Sequence, residues 1–342
     1  MSTLAAGKNF SVVVDVDGNV WLFGRVQNQS TRVPEKLDKD MAGVAAGNNH
    51  LLLLDMDGCL WAYGSNEFGQ LGYAGSSEAK IPRELSLPKM RTVFAVGDHS
   101  FFIETGTGKV WGCGSNSFSQ LGLGYTHIIA TPVPIPGLPP IKYVGGGNTH
   151  SLFVDTEGKV WGCGRLGTTG KTTNFVVPLD LPVEIVMACG GNGHSIFLDV
   201  HGSVWACGNN SSGQICDDNL TTQPCQIQKL PQIQAISAAL NFSVFLDVDG
   251  AVWACGEILN LEHKLKKLVD PKFYQPTMAT VQAGHDHILM GDVDNNVYGL
   301  GGNEESQSSG NGRSNICYHP SKINVPKVNC SIRKFSCKSA RN

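Results

Sequence analysis

Apolar runs of five or six residues recur along the chain. Each is followed, across a short polar turn, by a second run that carries an aromatic residue and ends in glycine. The copies are FSVVVDVDGNVWLFG at 10–24, HLLLLDMDGCLWAYG at 50–64, HSFFIETGTGKVWGCG at 99–114 and HSLFVDTEGKVWGCG at 150–164. Three more follow: HSIFLDVHGSVWACG at 194–208, FSVFLDVDGAVWACG at 242–256 and HILMGDVDNNVYGLG at 287–301. The aromatic anchors are Trp21, Trp61, Trp111, Trp161, Trp205, Trp253 and Tyr298, spaced 40 to 50 residues apart. A period in this range marks an array of one supersecondary unit.

Each copy predicts strand, tight turn, strand. Both runs are short and rich in β-branched and aromatic residues. Asp17-Gly18, Asp57-Gly58, Glu157-Gly158 and Asp249-Gly250 separate them, as hairpin turns with positive φ require. The strands are apolar on both faces rather than alternating, so the sheet must be covered on both sides. IKYVGGGNT and RTVFAVGD, upstream of two hairpins, predict a further strand. Segments such as ATPVPIPGLP carry prolines that belong at an edge. About four antiparallel strands per unit, no helical period and two buried faces predict an all-β fold, a seven-bladed β-propeller. The copies run from end to end, so residues 1–342 form one domain.

Charge is near balance, 26 basic against 29 acidic residues, which points to neither nucleic acid nor an anionic membrane. The exception is residues 321–342, with Lys322, Lys327, Arg333, Lys334, Lys338 and Arg341 and no acid. That tail is the sole hint of nucleic-acid binding. The N-terminus lacks a signal-peptide pattern and no apolar run reaches membrane-spanning length. With 11 cysteines, this predicts a reducing compartment: cytoplasmic, with the nucleus as an alternative, and not secreted. Cys113, Cys163, Cys207 and Cys255 share a register that elsewhere holds Phe23, Tyr63 and Leu300. That exchange predicts a core hydrophobe rather than a metal ligand or half of a disulfide.

Several stretches imitate chemical sites. GRLGTTGKTT at 164–173 resembles a phosphate loop, but Arg165 stands where the first glycine is needed and no helix follows. Asp15 and Asp55 begin calcium-loop-like stretches that lack the twelfth-position glutamate. His50, His99, His150, His194 and His287 share one register, replaced by Phe10 and Phe242 in two copies. An aromatic substitute predicts a structural histidine bonding neighbouring backbone, not an acid or base. Ser100, Ser151 and Ser195 follow three of them, and sequence adjacency is not a nucleophile–base geometry. No catalytic residue, metal or cofactor is expected, and the protein is read as a non-enzyme.

The G-x-x-H-S entry, the D-x-x-G-x-V-W hairpin and the N-x-x-G-Q-L-G loop together resemble the regulator of chromosome condensation family. The loop is plain in NEFGQLG at 66–72, altered in NSFSQLG at 116–122 and degraded in NSSGQIC at 210–216, with no copy after Gly24 or Gly256. Trp-Asp and kelch signatures are absent. The resemblance implies a propeller and, in some members, guanine-nucleotide exchange on a Ran-type small GTPase. Acidic and histidine residues of the entry loops face the GTPase in those members; by position these are Asp98, His285 and Asp286. Such members also carry a wedge-like hairpin, for which a maximum spacing of 50 leaves no room, and a basic N-terminal arm.

Residues that vary among equivalent entry loops are the candidate partner contacts: Asn48, Asn49, Asp98, Asn148, Asn192, His285 and Asp286. Loops on a rigid scaffold commonly carry recognition, so these should emerge together on one face. The expected function is non-catalytic binding of a protein partner. Nucleotide exchange is one alternative and the substrate-binding part of a ubiquitin ligase or other modular protein is another. Finally, IRKFSCKSARN at 332–342 aligns with the entry strand IKYVGGGNTHS at 141–151. Residues 321–342 are therefore expected to pack onto the first blade and latch the ring.

Overall fold

The structure is a computed structural model that describes residues 2–26, 29–75, 77–167, 172–216, 221–258, 264–273, 276–309 and 315–330; for 29–40 and 221–222 it describes backbone alone. It is a seven-bladed β-propeller of four-stranded antiparallel blades. Five blades are separate sheets. The first two are joined because strand Gln29–Ala46 is continuous: Gln29 to Asp40 pairs with Asn19–Val26 as the outer strand of blade 1, and Met41 to Ala46 pairs with His50–Asp55 as the inner strand of blade 2. The proline-bearing strand Ile129–Pro134 is outermost in its blade, as its missing N–H groups require.

Why both faces of every strand are apolar is clear from the packing. Seven hydrophobic layers fill the seven blade boundaries, and successive residues of one strand serve opposite layers. Phe101 and Ile103 enter the layer between blades 3 and 4, while Phe102 enters that between blades 2 and 3. The cysteine register lies in these layers. Tyr63, Cys113, Cys163, Cys207, Cys255, Leu300 and Phe23 occupy one layer each.

One expectation is corrected here. Cys255 is half of a disulfide with Cys216, Cα–Cα 5.7 Å. The loop that leaves one blade lies against the register residue of the next, as Gly122 lies against Cys163. In NSSGQIC a cysteine replaces that glycine, so its sulfur meets the sulfur of Cys255.

The Gln-containing loop is built by its own side chains. Asn66, Asn116 and Asn210 accept from the backbone N–H five residues on, and Gln70, Gln120 and Gln214 accept from the N–H two residues back. Asn303 and Gln307 make the same bonds, which reveals a fourth copy, NEESQSS at 303–309, hidden from sequence comparison. Gly69 and Gly213 hold the positive-φ position of two copies, whereas Ser119 (φ 60°) and Ser306 (φ 68°) hold it in the others. The side-chain bonds of the loop stabilise a backbone that serine adopts at a cost.

Among the described residues no blade mixes strands from the two chain ends, and the ring closes between blades 7 and 1 through side-chain packing together with backbone bonds, including an antiparallel bridge of Asp15 with Val328. Ile323, Val328 and Cys330 join Leu4, Val13, Phe23 and Leu289 in that layer. The backbone there bonds both blades: Val16 N–H donates to Lys327 O (2.9 Å), Thr3 Oγ1 to Asn329 O (2.7 Å) and Val328 N–H to Asn295 O (3.1 Å). Residues 331–342, where the sequence suggests an eighth entry strand, lie outside the described residues.

Candidate functional site

The turns from each inner strand to its neighbour gather at one end of the ring axis. Backbone fixes them in place. Within each blade the residue before the His position accepts from the third strand; Ser65 N–H to Asn49 O, Ser115 N–H to Asp98 O and Gly302 N–H to Asp286 O are examples, at 2.8 to 2.9 Å. Between blades, Lys8 N–H donates to Asn48 O, Asn48 N–H to Gly97 O, Asn192 N–H to Leu240 O and His285 N–H to Gly7 O. The side chains are thus displayed from a rigid rim.

The rim divides into two groups. His285 Nε2 lies 3.0 Å from Asn48 Oδ1, and Asn48 in turn hydrogen-bonds the Asp98 carboxylate, with Lys8 and Glu67 close enough to act on it. Burial pushes the Asp98 carboxyl up and Glu67 adds to this, against the Asn48 bond and the Lys8 charge. Burial also pushes His285 down to about 4, with Lys8 helping and Asp286 opposing. Asp286 is exposed; its Oδ1 lies 3.3 Å from His287 Nδ1 and 3.5 Å from Gln307 Nε2. Burial would raise its carboxyl, but the His287 and Gln307 bonds and the charges of His287 and His285 hold it below the usual range. On the other side Asn148 Nδ2 and Asn192 Oδ1 lie 3.5 Å apart. Asn49 contributes its carbonyl. The first group thus brings one imidazole, one lysine and three acidic side chains together at the rim, an arrangement suited to polar recognition.

Two acids of this end were not singled out from sequence. Glu67 acts on Asp98, and Glu257 accepts from Asn241 (3.1 Å) and Ser212 (3.4 Å). Both follow the third strand closely, and that shared position is the signal that could have found them.

The repeated histidines have a different role from the expected one. Their partners are serines of the following blade, not backbone. His50 meets Ser100, His99 Ser151, His150 Ser195, His194 Ser243 and His287 Ser11, Nε2 to Oγ at 2.9 to 3.0 Å. Ser100, Ser151, Ser243 and Ser11 donate onward to the carbonyls of Gln70, Gln120, Gln214 and Gln307. Each such serine therefore accepts from Nε2–H, and at His50, His99 and His194, whose Nδ1 has no partner, this fixes the neutral tautomer. Where Phe10 and Phe242 replace histidine, Leu51 and Ile288 stand at the serine position of the next blade. All these His–Ser pairs are fully buried, so no substrate reaches them. Glycines three residues upstream make room for the ring: a Cβ at Gly47 would lie 2.2 Å from His50 Cε1, and at Gly7 2.1 Å from Phe10 Cε1.

The calcium-like aspartates are likewise committed. Asp15 Oδ1 accepts from the N–H groups of Asp17 and Asn19, and Oδ2 from Trp21 Nε1 (2.8 Å). The same Asp-to-aromatic bond recurs at Trp161, Trp205, Trp253 and Tyr298. In the phosphate-loop lookalike a strand, Thr172–Leu179, follows instead of a helix, and residues 168–171 lie outside the described residues.

Comparison with known proteins agrees with this geometry. Profiles of the regulator of chromosome condensation repeat match residues 57–103 and 107–154, and a second profile of that repeat matches 42–70 and 186–214. Repeats of the regulator of chromosome condensation type thus lie at 42–103, 107–154 and 186–214 of the propeller. Among solved structures it is similar to yeast RCC1 (Prp20) bound to Kap60, at 21% identity and TM-score 0.76, over 87% of this chain and 79% of that one. Human WBSCR16 is similar at 19% identity and TM-score 0.75, over 86% and 85%. Prp20p of Saccharomyces cerevisiae, described with its binding properties to Gsp1p and histones, matches at 19% and 0.72, over 82% and 80%. At these identities the likeness speaks for the fold. No curated protein matches the chain by sequence.

Proposed function

We propose that this chain is a non-catalytic interaction propeller whose entry-loop end receives a protein partner. The observation that carries the reading is the rigid rim itself. Turns from all seven blades converge there, their backbones fixed by hydrogen bonds, with Asn48, Asp98, Asn148, Asn192, His285 and Asp286 set at or near the surface. Fixed polar side chains lose little conformational entropy on docking. Asp98, Asp286, Glu67 and Glu257 make a partner with a basic contact surface the natural fit. The test is affinity capture with the purified chain, followed by identification and direct titration of the captured protein. Asp98→Ala with Asp286→Ala should abolish that titrated binding, while Asp57→Asn with Asp249→Asn, in the hairpin turns at the opposite end, should leave it intact. Equal loss in both pairs would contradict the reading.

Nucleotide exchange on a Ran-type small GTPase is the second reading, supported by the likeness to Prp20p and by the positions of Asp98, His285 and Asp286. An exchange factor binds the nucleotide-free GTPase more tightly than the loaded form, so bound nucleotide is released. Fluorescent nucleotide release from such a GTPase, with and without the chain at micromolar concentration, separates the two. Acceleration that Asp98→Ala with Asp286→Ala removes would establish exchange.

A further inference from the structure

The seven inner strands enclose an axial channel of about 750 Å3. Among the described residues no aspartate or glutamate lines it, and its lysine and arginine content is one of each, Lys142 and Arg91. These two hold the same register in adjacent blades, each second in its inner strand, Met90–Val96 and Ile141–Gly147. The equivalent residues elsewhere are Ser2, Ala42, Val186, Gln234 and Ala279. The cations therefore sit together on one side of the channel, at the mouth away from the entry loops. The Arg91 guanidinium donates to the Ile141 carbonyl, one residue from Lys142, which fixes their proximity.

Neutralisation of this pair is incomplete. Burial lowers the Lys142 ammonium below its ordinary value, against the opposing pull of Asp155 and Glu184. The Asp155 oxygens are already engaged by the Glu157 and Lys159 N–H groups and by Trp161 Nε1. Deeper in the channel the partly exposed apolar side chains Phe94, Ala95, Met187 and Ala235 alternate with the polar Thr92, Thr280 and Gln282. The volume lies in the range of small-molecule sites, which pair an apolar wall with a few placed polar groups.

We propose that this mouth binds a small organic anion, a carboxylate or phosphate on an apolar body, with its charged group between Arg91 and Lys142 and its body along the channel. A guanidinium offers two parallel donors to either oxyanion, and the ammonium adds a point charge beside it. The site lies at the opposite end of the axis from the protein-binding rim and is independent of it.

Calorimetric titration of the full chain tests this, with 1-naphthyl phosphate and 1-naphthoate as anionic probes and 1-naphthol as the neutral comparator. The two anions distinguish phosphate from carboxylate preference. One site per chain is expected, with at least one anion bound about tenfold more tightly than the naphthol, the worth of roughly one favourable charge contact. Arg91→Gln and Lys142→Gln should each weaken it about tenfold, and Lys142→Arg should restore it. Lys159→Gln, whose ammonium pairs with Glu157 at an exposed turn, should change nothing. Near-ultraviolet circular dichroism confirms folding of each variant. Unchanged anion affinity in folded Arg91→Gln and Lys142→Gln, naphthol binding as tight as the tighter-bound anion, or no heat from both anions at millimolar concentration would overturn the proposal.

Discussion

The buried His–Ser pairs couple one blade to the next, and a double-mutant cycle on His99 and Ser151 measures that coupling. His99 Nε2 lies 3.0 Å from Ser151 Oγ, which donates to Gln120 O at 2.6 Å, and both residues are fully buried. His99→Phe removes one neutral hydrogen bond but leaves Ser151 bonded to Gln120, a loss of about 1 kcal/mol. Ser151→Leu strands the imidazole. His99 Nδ1 already lacks a partner, so both ring nitrogens would then be buried unbonded, at about 1–3 kcal/mol plus the cost of the larger side chain. The double variant reproduces the natural Phe10–Leu51 combination and has no orphaned imidazole. Overpacking by leucine is common to both Leu variants and cancels in the cycle. Urea unfolding of the four proteins should therefore give a double variant more stable than the sum of the singles by about 1–2 kcal/mol. Additivity within about 0.5 kcal/mol, the range for independent sites, would refute the coupling.

Other expectations follow from the same structure. Burial pushes His50, His99 and His194 down to about 3 and His150 to about 4. Their folded values lie below the ordinary 6.5, so the unfolded chain takes up protons first and stability is lost as pH falls from 6.5 toward 3. Each contributes about 1.4 kcal/mol per pH unit in that window. The melting temperature should drop steeply between pH 6.5 and 5; a flat profile would contradict neutral buried imidazoles. Deleting residues 323–342 removes the buried Ile323, Val328 and Cys330, at about 1.5–3 kcal/mol for each large apolar side chain. The melting temperature should fall clearly, and an unchanged one would sink the latch. Non-reducing peptide mapping should recover the Cys216–Cys255 pair, whose 39-residue separation makes it worth about 3–4 kcal/mol. Equal urea midpoints for wild type and Cys216→Ser under oxidising conditions would show that the bond contributes nothing.

The blades were legible in the sequence because one hairpin is written seven times. Strand type, turn and two-faced burial follow from a single copy, and the number of blades from counting. The His–Ser staple was not legible, because its partners are 45 to 52 residues apart, or 276 for His287 and Ser11, and become neighbours only when blades stack and the ring is closed. Its trace, Phe10 with Leu51 and Phe242 with Ile288, has meaning once blade order is known. The Cys216–Cys255 bond escaped for the same reason: one sulfur lies in a loop and the other in the next blade. The loop at 303–309 escaped because, besides Ser306 in place of glycine, Ser308 and Ser309 replace the Leu-Gly that ends the plainer copies. At the rim, the contact of His285 with Asn48 crosses from the last blade to the second, and no linear spacing encodes it.

The central claim is that the entry-loop end of the ring carries the protein contact. Hydrogen exchange of the chain, measured free and in complex with its titrated partner, tests it most directly. Slowed exchange should appear at 7–9, 47–49, 97–98, 147–149, 191–193 and 284–286, with the hairpin turns at 15–18, 55–58, 155–158 and 247–250 unchanged. Protection of those turns, with the entry loops unaffected, would place the partner at the opposite end and contradict the account.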